Sequence, residues 1–265
     1  VDYHPAEPNA GVTFVRSDLP EKPRSPASVE FHRETPRRTT LENDGAHVEM
    51  IEHIMAALAG MRVDNCEVHM DAPEAPGCDG SSLAFVEALD SVGFAEQDAV
   101  ARFIKVHEDL RVGDDKAWIE ATPSDAGPTA LSVKFHIDYG PSGPISRQTI
   151  QLDVDPESFR RELAPSRTFV LQHEAEWLRS QGIAQRPTEK DLLIFNDDGP
   201  INNTLRFDDE CVRHKALDLI GDLALTGRRP VGCFVAHCSG HRLNAQTARA
   251  LLEQDERNRG RRRTA

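Results

Sequence analysis

Residues 213–222 read Arg213-His214-Lys215-Ala216-Leu217-Asp218-Leu219-Ile220-Gly221-Asp222. Their composition predicts the centre of a long helix at about 209–226. On a helix, positions 214 and 218 share one face, so a His nitrogen and an Asp oxygen can reach a single divalent ion at about 2.0–2.2 Å. Asp222 continues the stripe one turn further on, where it can orient its neighbours. Spacing alone favours a plainer alternative, a solvated face with an incidental His–Asp contact. Against that stand Leu217, Leu219, Ile220, Leu223 and Leu225, which make the helix heavily apolar. Four ionisable groups within nine residues of a largely buried helix need partners, and a metal would satisfy several of them at once.

Working outward, a strand at 231–237 follows, and a terminal helix starts near Asn244. Upstream, helix and strand alternate: helix at 156–163, strand at 166–171, helix at 173–181 and strand at 192–195. Before them come strands at 102–107, 116–121, 131–137 and 148–153. Polar sequence at 95–101 marks a boundary. On its far side lie a helix at 51–60 closed by Gly60, a strand at 65–70 and a helix at 82–92. Residues 17–46 are polar, with prolines at 20, 23, 26 and 36, and read as extended segments and loops. The arginine-rich end after Glu256 reads as frayed and solvated. The expected class is α+β, two units spanning 1–98 and 99–265 that each pair sheet with helices.

Composition narrows the function. The chain has 265 residues, 38% hydrophobic and 28% charged, enough for a real core. No apolar run approaches the roughly 18 residues that span a bilayer. The first residue is Val1, with no basic-then-apolar leader, which implies an initiator end lost or trimmed. Net charge is −13, and five arginines lie in the last nine residues, so the body before them stands at −18. So acidic a body argues against nonspecific nucleic-acid binding. Taken alone it also argues against an anionic substrate, although net charge does not describe one pocket. The five cysteines are odd in number and form no CxxC pair, which fits reduced thiols in a cytoplasmic protein. Any metal must then be held by His and carboxylate.

Three further stretches carry candidate chemistry. In Glu52-His53 the histidine can ligate while the glutamate flanks a metal-bound water; a helix-start carboxylate beside a satisfied core histidine is an equal alternative. His241 follows Ser239-Gly240, a glycine-permitted turn after a strand that can face it into a cleft, or simply into solvent. Ser166-Arg167-Thr168-Phe169 opens a strand, and its hydroxyls and guanidinium suit an anionic group or ordinary strand-edge chemistry equally.

Together and in this order, these pieces resemble the UDP-3-O-acyl-N-acetylglucosamine deacetylases, the zinc enzymes of the committed step in lipid A synthesis. The matching stretches are 52–60, Asp64-Asn65, Ala72-Pro73-Glu74 with Asp79-Gly80-Ser81, 166–169, Leu205-Arg206-Phe207, 213–222, and Ser239-Gly240-His241 with Leu243-Asn244. They cover nearly the whole chain, from His4 to Asn244. The resemblance implies two similar α+β domains, each a β-sheet layered with a helix pair, with the zinc site between them. It implies Zn2+ held by His53, His214 and Asp218, and catalytic roles for Glu52 (general base), His241, Thr168 and Asp222. Lys215 falls on the substrate side, with Arg167 and Phe169 beside it. The implied partner is the acylated UDP-N-acetylglucosamine itself; the cysteine count sets the expected location as cytoplasmic, and a monomer is the default expectation.

The sequence also departs from the family. The family's first strand and glycine-rich segment would precede Val1. Met50 stands where a threonine is usual, and Cys78 where an apolar residue is common. Residues 184–188 lack the small glycines often found there, which implies a different shape for the acyl passage built by the second domain's insert. Two other readings stay open: a zinc deacetylase of another N-acetyl sugar, and a sugar-nucleotide-binding homologue with impaired catalysis.

Overall fold

A computed structural model describes residues 1–141, 143–182 and 188–263. The first half builds β1 (Asp2–Pro5), β2 (Val12–Arg16), β3 (Arg24–Pro26), β4 (His32–Thr35), β5 (Arg38–Asn43), β6 (Ala46–Glu49), α1 (Glu52–Gly60), β7 (Cys66–Met70) and α2 (Leu83–Val92). Four of these strands form one sheet in the order β1-β7-β2-β3, with β2 and β7 parallel. The other three form an antiparallel meander, β4-β5-β6.

The meander gives the extended segments and loops expected over 17–46 a definite sheet. Thr39, Thr40 and Leu41 on β5 are all buried, and threonine hides a strand from a purely apolar pattern. The signal was nonetheless present. Asn43-Asp44-Gly45-Ala46 closes the β5–β6 hairpin, with positive φ at Asp44 and Gly45, the conformation that a tight hairpin turn demands.

The second half contributes β8 (Phe103–Lys105), β9 (Leu110–Gly113), β10 (Trp118–Thr122), β11 (Leu131–Ile137), β12 (Gln148–Asp153), α3 (Pro156–Ser158), β13 (Phe169–Leu171), α4 (Gln172–Ser180), β14 (Leu193–Asn196), β15 (Gly199–Pro200), α5 (Glu210–Leu223), β16 (Arg229–His237) and α6 (His241–Arg263). Its main sheet runs β12-β11-β16-β10-β9, with β8 added alongside β16. Val133, Phe135 and Ile137 alternate inward along β11, as period-two side chains on a one-sided sheet must. A small sheet, β13-β14-β15, stands apart with α4 against it.

Several boundaries differ from expectation. The helix foreseen at 156–163 is α3 followed by a turn of π-helix at Phe159–Leu163. The strand foreseen from 166 begins only at Phe169. The terminal helix starts at His241 rather than Asn244, and it does not fray after Glu256. It continues to Arg263, with Arg259 4 residues from, and 2.9 Å from, Asp255. Residues 184–187, where the acyl passage was expected to change shape, lie outside the described residues.

The inner layer is helical. α1 packs directly on α5, and α5 on α6 and the main sheet. Every residue of α1 except Ala59 is buried, as expected of a helix covered on all sides. Gly221 on α5 makes the crossing possible, because a Cβ there would overlap the Glu52 carbonyl oxygen. One hydrophobic cluster runs from Phe14 and Leu41 through α1 and α5 to Phe234 and Leu251, so both halves share it. Among the described residues, no helix is long and apolar enough to cross a membrane.

Candidate metal centre and active site

The α1–α5 crossing brings three side chains from two helices together. His53 on α1 and His214 and Asp218 on α5 are buried, and their ligand atoms lie within 4.8 Å of one another. His214 Nε2 lies 3.4 Å from Asp218 Oδ1, and His53 Nε2 lies 3.7 Å from the same oxygen. These are not ordinary ion pairs. Burial holds both imidazoles below their usual range, His214 at about 3, so both are neutral near pH 7. Neutral imidazole is the ligating form.

His214 and Asp218 are oriented from behind. His214 Nδ1 donates to the Ser166 carbonyl at 3.1 Å, leaving Nε2 to face Asp218. Lys215 Nζ donates to Asp218 Oδ2 at 2.7 Å. Burial opposes ionisation of Asp218, yet His214, Lys215 and His241 together hold its carboxyl well below the usual range. Its other oxygen, Oδ1, is buried and has no hydrogen-bond partner among the described residues. A carboxylate oxygen stranded in this way costs free energy unless a cation faces it. Two neutral imidazoles and one carboxylate match a three-ligand catalytic metal site with its fourth position open. The residues therefore fit a metal.

Two acid–base groups flank the ligands. Glu52, the first residue of α1, is buried, and desolvation pushes its carboxyl up to about 7. The Thr39 main-chain N–H, on β5, donates to Glu52 Oε2 at 2.9 Å. His241 opens α6, with its Nδ1 2.9 Å from Asp222 Oδ2 and its Nε2 3.9 Å from Asp218 Oδ2. Burial alone would lower the His241 pKa, but Asp222 and Asp218 outweigh it and raise the ring to about 9. Asp222 is held in turn by Asn244 Nδ2 at 2.8 Å and by the Thr39 hydroxyl at 2.6 Å.

Other expected residues fall differently. Phe169 lies edge-on to His214, with ring centroids 6.3 Å apart, and Lys215 Nζ stands 5.9 Å from its ring centre. Thr168 joins the 77–80 turn to the small sheet. Its N–H donates to the Gly80 carbonyl at 2.7 Å, and its carbonyl accepts from Leu193 N at 2.9 Å. Gly80, at φ +81°, has no room for a Cβ, which would meet the Asp191 carbonyl oxygen and the Thr168 methyl.

Arg167, expected on the substrate side, is engaged in a buried ion pair. Its guanidinium pairs with fully buried Glu210, Nε to Oε1 at 2.7 Å and Nη2 to Oε2 at 3.0 Å. Asn203 Oδ1 and the Thr204 carbonyl take further protons. The residue braces the segment that ends in Ser166, and its charge is neutralised from 43 positions away.

Sequence reasoning missed Thr39 and Glu210. No spacing rule could reach either one, because each acts across the fold. Asn244 was quoted only as part of a matching stretch, without a role.

With this geometry in place, the comparisons are specific. The family model described as UDP-3-O-acyl N-acetylglycosamine deacetylase matches residues 1–253. Proteins named UDP-3-O-acyl-N-acetylglucosamine deacetylase from Brucella ovis, Brucella melitensis and Brucella abortus are each 39% identical over 253 residues, covering 95% of this chain and 87% of theirs.

Proposed function

From the premise that this chain belongs to the UDP-3-O-acyl-N-acetylglucosamine deacetylase family, we propose how its own residues perform the reaction. The enzyme hydrolyses the N-acetyl group of UDP-3-O-acyl-N-acetylglucosamine and releases acetate, a step of lipid A biosynthesis. The metal would be zinc, and His53, His214 and Asp218 would hold it. When bound, zinc supplies Lewis-acid polarisation of the acetamide and lowers the pKa of a water toward about 7.

Glu52 is the general base. A carboxyl raised to about 7 can take a proton from water near neutral pH and hold it until the tetrahedral species breaks down. Thr168 donates its hydroxyl toward the developing oxyanion. His241, kept charged by Asp222, stabilises that negative charge and protonates the departing amine. The C–N bond breaks, acetate leaves, and the sugar retains its amine. Lys215 holds one oxygen of Asp218 and, with Phe169, borders the substrate. Its ammonium also offsets the acidic body where an anionic nucleotide sugar must lie. The five free cysteines support a cytoplasmic setting, and we take the active species to be a monomer.

The observation that carries this reading is the buried Asp218 oxygen, without a partner, facing two neutral imidazoles between a carboxyl and a charged imidazole. The test is acetate release from the UDP sugar with and without a chelator. Chelator-sensitive release is expected. Glu52→Ala and His241→Ala should each cut turnover by about 100-fold or more while the metal stays bound. Release that ignores the chelator, or near-normal turnover in either variant, defeats the corresponding part.

A further inference from the structure

One residue touches both acid–base groups. Thr39 is the second residue of β5, paired with Glu34 of β4 and fully buried, and is part of neither the ligand set nor any matching stretch. Its main-chain N–H donates to Glu52 Oε2 at 2.9 Å. Its hydroxyl lies 2.6 Å from Asp222 Oδ1 and 3.2 Å from His241 Nδ1. A hydroxyl has one proton and two lone pairs. Asp222 can only accept, so the proton goes to Asp222 Oδ1, and a lone pair then faces His241 Nδ1–H. That N–H sits in a fork between Thr39 Oγ1 and Asp222 Oδ2, which fixes Nδ1 as a donor and turns Nε2 toward the ligand cluster.

We propose that Thr39 is a positioning residue that sets the base and the acid in register with each other. Its backbone holds the Glu52 carboxylate and its hydroxyl holds the Asp222–His241 pair, all from one rigid strand. Reacting groups must be placed within a fraction of an ångström, and a single rigid anchor for both removes one source of relative motion. β5 is suited to this task because strands β4 and β6 flank it on both sides. The proposal rests on the roles given above to Glu52 and His241.

The test uses the metal-loaded full chain with Thr39→Val, which keeps shape and backbone, and Thr39→Ser, which keeps the hydroxyl. In Thr39→Val, kcat should fall about 10- to 100-fold with KM within about twofold, and metal content should not change. Thr39→Ser should stay within about threefold of the parent kcat, which a merely space-filling role would not require. Parent-like kcat in Thr39→Val, or equal damage in both variants, overturns the proposal.

A second arm needs no turnover. The His241 ring N–H resonance, assigned by 15N-histidine labelling, should shift in Thr39→Val and be retained in Thr39→Ser. An unshifted resonance in Thr39→Val overturns the proposal. Should valine not fold, Thr39→Ala gives the same readout. A parent chain that releases no acetate would sink the functional reading, while the resonance still judges Thr39.

Discussion

In the proposed mechanism Glu52 and His241 carry opposite proton assignments, and burial and charge favour this. Glu52 has to start deprotonated, so activity rises as pH climbs through its titration, at or below about 7, because a bound cation favours the anion. His241 has to start protonated, so activity falls as pH climbs through about 9. The kcat/KM profile should therefore be a bell, its limbs belonging to the coupled pair rather than to either residue alone. In Glu52→Gln any residual activity should lose the acid limb and keep the alkaline one. A profile with no alkaline limb would remove His241 as the acid. At this scale the meeting of His214 and Asp218 was legible, because i, i+4 spacing on an apolar helix puts them on one face. The pairing of Arg167 with Glu210 was not legible, because the two are distant in sequence and adjacent only in the fold. Thr39 was illegible for a related reason: half of what it does is done by its backbone, which no side-chain pattern records.

Among the elements, the α1–α5 crossing governs the site, since each helix brings ligands that the other completes. Gly221 lets the backbones approach, with the Glu52 carbonyl oxygen and the Ala56 N–H where a Cβ would stand. Gly221→Ala should therefore push the helices apart and destabilise the chain by about 1–3 kcal/mol in chemical denaturation. It should also weaken metal affinity, because the separation moves His53 away from His214 and Asp218. Unchanged stability would mean that the crossing relaxes freely. Both helices were readable from composition and periodicity. Their closeness was not, since a glycine amid an apolar helix signals only a propensity cost until its neighbour is known. The β4-β5-β6 meander was not read as a sheet because three of its six buried positions, His32, Thr39 and Thr40, are polar and its solvent face is largely charged.

For the molecule as a whole, the shared hydrophobic cluster matters more than the boundary proposed at 95–101. Phe14 and Phe234, from opposite halves, belong to one connected core. Unfolding should be a single transition. Trp118 and Trp177 both lie in the second half, so their fluorescence reports that half, while far-ultraviolet circular dichroism reports the entire chain. The two curves should coincide in denaturant. Separated midpoints would show two independently stable units. The charge of −13 is likewise a property of the whole and a poor guide to the pocket, where Lys215 and His241 are the nearest cations.

The seclusion of Asp218 Oδ1 has a consequence in time. An oxygen with essentially no contact with solvent can neither receive nor surrender an ion until the surrounding helices breathe. Exchange of the proposed zinc should then be limited by that opening rather than by capture. The rate of inactivation by a chelator should rise with its concentration and then level off, and the plateau would be the frequency at which the crossing opens.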